Sequence, residues 1–380
     1  MDTLSGWTVA VTADRRAEEQ IELLGRQGAA TIHAPVIRTM PLGPDAGLRA
    51  VTADLIDDPP DVLVAMTGIG VRGWFATSDA WGLATDLRAT LAARTHIVAR
   101  GPKAASAVAN EGLRARWRAP EATSTEVLRY LEARPLDGSR VAVQLAGAPD
   151  PAFSQALRAR GARVVELPVY EWVLPPPTAT TVRFVDAVVN GEVDAVTFTC
   201  AHAVTNLLAL AADRRSAVVE RLRTSVVSAC VGPVTEAAAR RAGATQIVTA
   251  APARLGTMVR ALGRHLEVRR RVLVLAGIDV VAQGAALDVA GQPVALTRGE
   301  RLLFETLLDA DGAVLSKQRL ARVAWDSDVD DHAVEVAVNR LRRKLGRAAS
   351  AIETTNRRGY RLTATDGRTR GTVHGADQRR

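Results

Sequence analysis

The sequence predicts an α/β protein of two doubly wound parallel-sheet lobes, followed by a smaller domain that mixes strands and helices. Three observations carry this expectation. Short apolar runs alternate with Ala-, Leu-, Arg- and Glu-rich helical patterns from residue 7 to about 265, which is the rhythm of a parallel sheet. Two proline-bounded, β-rich stretches interrupt the rhythm. After 265 the composition changes to short β-like pieces and then helices. A length of 380 residues suits two or three domains, and 47% hydrophobic with 24% charged residues is ordinary globular composition.

Composition also excludes. No apolar run reaches the roughly 18–20 residues of a membrane span, and the start, Met1 to Trp7, has no secretion signal. Two cysteines, Cys200 and Cys230, are too few for a zinc site of their own, and a reducing cytoplasm is the simplest compartment. With no metal-ligand cluster, Walker motif or catalytic triad in the sequence, neither metal nor cofactor is expected.

Strands are expected at 8–12, 30–34, 62–66, 96–99, 141–145, 164–167, 195–199, 226–231 and 246–249. The extended stretches are Ala34-Pro35-Val36-Ile37-Arg38-Thr39-Met40-Pro41 and Leu167 to Leu174, which runs into Pro175-Pro176-Pro177. Read as linker strands 35–41 and 167–176 crossing together, they divide a module 1–265 into one lobe (1–34 and 177–265) and an inserted lobe (42–166). A faint repeat supports two variants of one unit. Asp61-Val62-Leu63-Val64-Ala65-Met66-Thr67 resembles Asp194-Ala195-Val196-Thr197-Phe198-Thr199, and each is followed by a strand, Gly-Pro and a helix, at Gly101-Pro102 and Gly232-Pro233. Proline in a first helical turn wastes no hydrogen bond.

Gly68-Ile69-Gly70-Val71-Arg72-Gly73 is a literal G-x-G-x-x-G. A dinucleotide site needs an acidic residue closing the next strand, about 20 positions on; Asp86 has that spacing but sits in a helical stretch. The better reading is close backbone approach, with helix N–H groups aimed at an anion. Gly101 and Gly232 read the same way. Several such starts facing one cleft suit a polycarboxylate; tight turns without a ligand are the plainer alternative.

A connector at 266–271 leads to a domain at 272–365. Gly277, Gly284 and Gly291 break its β-like pieces. Thr297 and Glu300 form a capping box, and Leu302, Leu303, Leu307 and Leu308 give that helix an apolar face. Ser316 caps a second helix. A third starts near Asp330 and Asp331 and buries Val334, Val338, Leu341 and Leu345. Its other face presents His332, Val336, Asn339, Arg340 and Arg343. Asn bonds adenine, Arg bonds guanine and Val meets a thymine methyl, so this face suits a DNA major groove. Arg342 and Lys344 flank it for phosphate contact. A hairpin over 352–362 puts Arg357 and Arg358 at its tip, and a Gly-, Arg- and Thr-rich tail, 366–380, is expected to be disordered. Eight bases and one acid lie in 340–361, so +7 of the chain's +8 sits in 22 residues, the footprint of a polyanion partner.

These pieces, Leu296-Thr297, Glu300, Ser316-Lys317-Gln318-Arg319-Leu320, Val323-Ala324-Trp325, Arg340 to Leu345 and Arg358-Gly359-Tyr360-Arg361-Leu362, resemble the α+β winged-helix effector domain of the OmpR/PhoB type. The resemblance implies double-stranded DNA as partner, 331–345 as recognition helix, 356–361 as wing, and a homodimer on half-sites about one helical turn apart. That family usually carries an N-terminal receiver. Here Asp61 begins an apolar run instead of ending one, so no phosphorelay is expected.

Residues 1–265 resemble uroporphyrinogen-III synthase, through Val9-Ala10-Val11-Thr12 with Arg15-Arg16, Gly161-Ala162-Arg163-Val164, Val169-Tyr170, Phe198-Thr199 and Gly232 to Ala238. The resemblance implies two α/β lobes joined by a two-stranded linker. It implies a substrate with eight carboxylates, hydroxymethylbilane, which loses its hydroxyl, inverts ring D and closes. It makes Tyr170 the residue assisting hydroxyl loss, and Arg15, Thr67, Gly68, Gly70, Gly101, Lys103, Tyr170, Thr199, Gly232 and Thr235 the ligand-binding candidates. The chain departs from the family where Gly101-Pro102-Lys103-Ala104 lacks a threonine, and where Thr67-Gly68 and Thr199-Cys200 replace Thr-Ser. The expected function is therefore a transcription regulator sensing a small anionic ligand or tetrapyrrole precursor. Fusions of this kind resemble actinobacterial regulators, some associated with nitrate and nitrite assimilation genes. The alternatives are an active synthase with a DNA-binding appendage, and a DNA-binding protein whose first module only dimerises.

Overall fold

The computed structural model describes residues 1–41, 46–325 and 330–367. The chain forms two compact units, Met1–Val36 with Pro176–Arg380, and Ile37–Pro175.

The first unit opens with an all-parallel sheet. Its strands run, edge to edge, Ala30–His33, Thr8–Val11, Ala195–Phe198, Val227–Cys230 and Ile247–Thr249. Both faces are covered, so the strands are apolar throughout instead of alternating. Val9 and Val11 enter one core with Ala195 and Val227; Ala10 enters the other with Val196 and Phe198. Strand order reverses between Thr8–Val11 and Ala195–Phe198, and such a switch point opens a crevice at the carboxyl ends of the strands.

The second unit repeats the plan. Its sheet runs Trp117–Arg118, His96–Ala99, Val62–Ala65, Arg140–Gln144 and Arg163–Leu167, with the switch between Val62–Ala65 and Arg140–Gln144. Both proline-bounded stretches lie in or at the edge of this unit, where Arg38–Pro41 pairs antiparallel with Tyr170–Val173. The repeated aspartates do equivalent work. Asp194 Oδ2 accepts the Thr8 N–H at 2.8 Å, and Asp61 Oδ2 accepts the Arg140 N–H at 2.8 Å. Each pins the amino-terminal end of a neighbouring strand.

The C-terminal domain begins with antiparallel strands Arg271–Leu275, Ile278–Gln283, Ala286–Val289 and Gln292–Ala295. Helices Arg298–Asp309, Lys317–Trp325 and Asp331–Leu345 follow, then a hairpin of Ile352–Thr355 and Gly359–Leu362. The expected capping box is present at Thr297, and Ser316 and Asp330 cap the next two helices. Leu303, Phe304, Leu307, Leu320, Val334, Val338, Leu341 and Leu345 share one core with Leu287 and Tyr360.

Some sequence expectations shift. Thr12, Met66 and Thr199 end apolar runs but lie past the strands, in the turns. The two-residue strand Trp117–Arg118 is an addition to the expected set, too short to carry a periodicity. Helix Leu255–Glu267 absorbs the start of the connector and Arg271 begins a strand, leaving 268–270 between them. Ala364–Asp366 is a strand paired with Leu273 to Leu275, so Asp366 belongs to the domain sheet; the rest of the expected disordered tail, from 368, lies outside the described residues.

Glu300 closes the capping box and takes the Lys344 ammonium at 2.5 Å while only 4% exposed. Burial pushes its pKa up, but hydrogen bonds from Lys344 and Thr297 outweigh burial and hold it below the ordinary value. A depressed folded pKa stabilises fully above the unfolded value, near 4.5, and the gain is lost as pH falls through the folded value. Urea unfolding followed against pH should show this acid limb flattened in Glu300→Gln. Thr297→Ala should weaken the same domain by about 1 kcal/mol at neutral pH, read as faster amide exchange in helix Arg298–Asp309.

Candidate functional site

In the second unit, strand Val62–Ala65 runs into Thr67, which caps helix Gly68–Ala80 by accepting the Gly70 N–H at 3.1 Å. The Thr67 N–H donates to Gln144 Oε1 at 2.9 Å, across the switch point, and its hydroxyl lies 3.1 Å from the Tyr170 hydroxyl. Tyr170 is buried beside Trp172, ring edge to face. The G-x-G-x-x-G motif is explained by this packing. A Cβ on Gly68 would strike the Lys103 carbonyl, and one on Gly70 the Gln144 carboxamide. The Gly70 N–H is committed to Thr67, so this amide is not open to an anion.

The neighbouring helix Pro102–Asn110 differs. Gly101 starts it with no side-chain cap, and Lys103 is exposed in its first turn. Arg100, just before, is half-buried, and its guanidinium has no hydrogen-bond partner among the described residues. Burial lowers its pKa, while nearby Tyr170 and Asp150 act to raise it. Sequence reasoning missed Arg100 and Gln144. The available signal was a polar side chain closing an apolar run, Val141-Ala142-Val143-Gln144 and Ile97-Val98-Ala99-Arg100.

In the first unit, Thr199 is half-buried after its strand. Helices Ala201–Leu210 and Pro233–Arg241 start at Cys200 and Gly232, again without side-chain caps. Thr235 is buried in the first turn of the latter, and Arg15 is exposed after Thr8–Val11. Burial pushes the Cys200 thiol up against the pull of the Ala203 and His202 N–H groups. Burial, then Glu236, pushes Cys230 up to about 12. Neither is an activated nucleophile.

On helix Asp331–Leu345, His332, Asn339, Arg340 and Arg343 are exposed and Val336 is half-exposed, so the expected face is open. Arg357 and Arg358 are exposed on the hairpin turn. Arg342 and Lys344, expected at phosphates, are half-exposed and make contacts within the domain. Arg342 donates to the Ile352 carbonyl at 2.7 Å and the Thr354 hydroxyl at 2.9 Å, and lies 5.7 Å from the Tyr360 ring centre. Lys344 is held by Glu300 and the Ala295 carbonyl. Both side chains thus tie the third helix to neighbouring segments of the domain. Among the described residues no cluster of His, Cys, Asp and Glu could hold a metal ion, and no helix is long and apolar enough to cross a membrane.

Two parallel-sheet units with polar groups at their strand ends, joined to a three-helix domain presenting Asn and Arg beside a basic hairpin, define a synthase-like module fused to a DNA-binding regulator domain. Residues 18–260 match the family described as uroporphyrinogen-III synthase HemD, and the chain belongs to that family. Residues 291–362 match the C-terminal domain of transcriptional regulatory proteins. The crystal structure of a mutant uroporphyrinogen III synthase from Thermus thermophilus is similar over 69% of this chain and 99% of its own, at 33% identity and a TM-score of 0.59. The Bacillus subtilis protein YjjA, itself uncharacterised, is 30% identical over 270 residues, 70% of this chain and 97% of that protein. The transcriptional regulatory protein CseB of Streptomyces avermitilis is 37% identical over 95 residues, 24% of this chain and 40% of that protein.

Gel-shift titrations should separate the exposed bases. Arg340→Ala or Arg343→Ala should cost about 1–3 kcal/mol at a selected operator and little on random DNA, whereas Arg357→Ala or Arg358→Ala should weaken both and flatten the salt dependence. Unchanged operator affinity in the first pair would remove the base-reading role from this helix face.

Proposed function

We propose that the chain is a transcription regulator whose synthase-like module is a receptor for a small polyanion of the tetrapyrrole-precursor class. In this reading its C-terminal domain binds double-stranded DNA as one half of a pair. The observation that carries the receptor reading is Arg100. A half-buried guanidinium with no hydrogen-bond partner among the described residues, near Tyr170 and Asp150 and beside an uncapped helix start at Gly101, has donors that a ligand carboxylate can engage. Lys103, in the first turn of the same uncapped helix, adds positive potential at that strand end. The asymmetry in capping within this unit supports the same reading, because Thr67 caps the helix start at Gly68 while the start at Gly101 carries no side-chain cap.

A second reading, retained catalysis, is favoured by one contact. The Tyr170 hydroxyl lies 3.1 Å from that of Thr67, which fixes its position, and a tyrosine hydroxyl so placed can pass a proton to a leaving hydroxyl.

One assay separates the two. Purified protein receives freshly generated hydroxymethylbilane, and the ratio of type III to type I uroporphyrinogen is read; type I forms without an enzyme. Type I alone, together with saturable binding of uroporphyrin III that falls about tenfold or more in Arg100→Met, supports the receptor. A type III excess lost in Tyr170→Phe supports the enzyme. Absence of both product excess and binding would defeat both readings.

A further inference from the structure

The C-terminal domain is joined to the parallel sheet of its own unit by more than the short connector. The turn after strand Ile278–Gln283 is seated on the first residues of the chain. Gln283, only 2% exposed, donates through Nε2 to the carbonyl oxygens of Asp2 at 2.9 Å, Thr3 at 3.2 Å and Ser5 at 2.9 Å. The Ala285 N–H donates to the Gly6 carbonyl at 2.8 Å. Gly6 and Gly284 both have positive φ, +76° and +56°, and a Cβ on either would collide with the backbone of the other segment. Beside this seat, Arg301 of helix Arg298–Asp309 donates to Asp194 Oδ1 at 2.7 Å and lies 5.1 Å from the ring centre of buried Trp7.

Asp194 is shared. Its second oxygen holds the Thr8 N–H, and its own N–H donates to the Thr8 carbonyl at 2.8 Å. It therefore ties strands Thr8–Val11 and Ala195–Phe198 together and ties both to Arg301. Its repeat counterpart Asp61 makes the strand contact but is exposed, so the bond to a helix of another domain is an addition to the repeated unit. The same two strands run out at their other ends to Thr12 and Thr199, beside the helix start at Cys200. A ligand at one end and the DNA-binding domain at the other would load the same pair of strands.

We infer that the Gln283 seat and the Asp194–Arg301 pair make the DNA-binding domain and the first parallel sheet one mechanical body, so that DNA occupancy and the state of that sheet are thermodynamically coupled. The inference rests on the DNA-binding reading and supplies its regulation. Coupling of this kind is reciprocal, so it can be driven from the DNA side without knowing the ligand.

The test is amide hydrogen exchange on the full chain, with and without a short mixed-sequence DNA duplex at low ionic strength, where basic domains bind without sequence preference. DNA should slow exchange in Thr8–Val11 and Ala195–Phe198 by roughly fivefold or more. Asp194→Asn keeps an acceptor for the Thr8 N–H but loses the ion pair. It should abolish that protection while DNA affinity, measured separately, stays within about twofold, a change small beside the expected coupling. Gln283→Ala should reduce the protection in the same way, and serves if the first variant folds poorly. DNA binding with no change in these strands, or unchanged protection in the folded variants, would overturn the inference alone. Failure to bind DNA at all would overturn the DNA-binding reading and the inference with it.

Discussion

Parallel strands all end on the same edge. Crossovers return the chain to the same starting side, so within either parallel sheet the strands that lead into helices deliver those helix starts to one rim. A helix start brings backbone N–H groups that have no partner within the helix. The rim is therefore electropositive before any side chain is chosen, and the sequence then decides which starts to close. Thr67 closes one; Gly101, Cys200 and Gly232 bring no side-chain cap. Arg100 adds a half-buried positive charge just before the start at Gly101. The opposite rim is given to structure, with Asp61 and Asp194 pinning strand starts and the buried guanidinium of Arg140 tied to Asp54 and Asp58.

The alternation of strands and helices was legible because strands covered on both faces read as unbroken apolar runs, as in Val62–Ala65. Their exact ends were less so. Met66 and Thr199 continue the chemistry of the strand while the backbone has already turned. The candidate site was legible where a local motif marks it, at Thr67, Gly101 and Gly232. Gln144 and Arg100 escaped because their roles come from the level at which separate strands stop, which no single stretch of sequence encodes.

The third helix of the C-terminal domain shows a different limit. Helical periodicity places the Cβ atoms of Arg342 and Lys344 on the flank of the exposed stripe, and that placement invites a phosphate contact. Long side chains travel from their Cβ, however, and both tips fold back, one to the hairpin and one to the capping box. Arg361 likewise pairs with Glu353 at 2.5 Å. Part of the charge concentrated in 340–361 thus stiffens the domain. Arg340, Arg343, Arg357 and Arg358 are left exposed on that firm support.

The seat beneath the C-terminal domain is made almost wholly of main-chain atoms on one side: three carbonyls taken by Gln283 and a fourth taken by Ala285. Asp2, Thr3 and Ser5 contribute their peptide groups to it. Their side chains can drift without loosening the seat, provided Gly6 and Gly284 keep their backbone approach. Such a joint leaves little trace in residue identity and can be transplanted. A chimera pairing this effector with the sheet of another relative would need the glutamine, the two glycines and the Asp–Arg pair, and few other matched residues. Domain fusion then becomes a short step, since the newcomer has only to recognise a bend in the peptide chain.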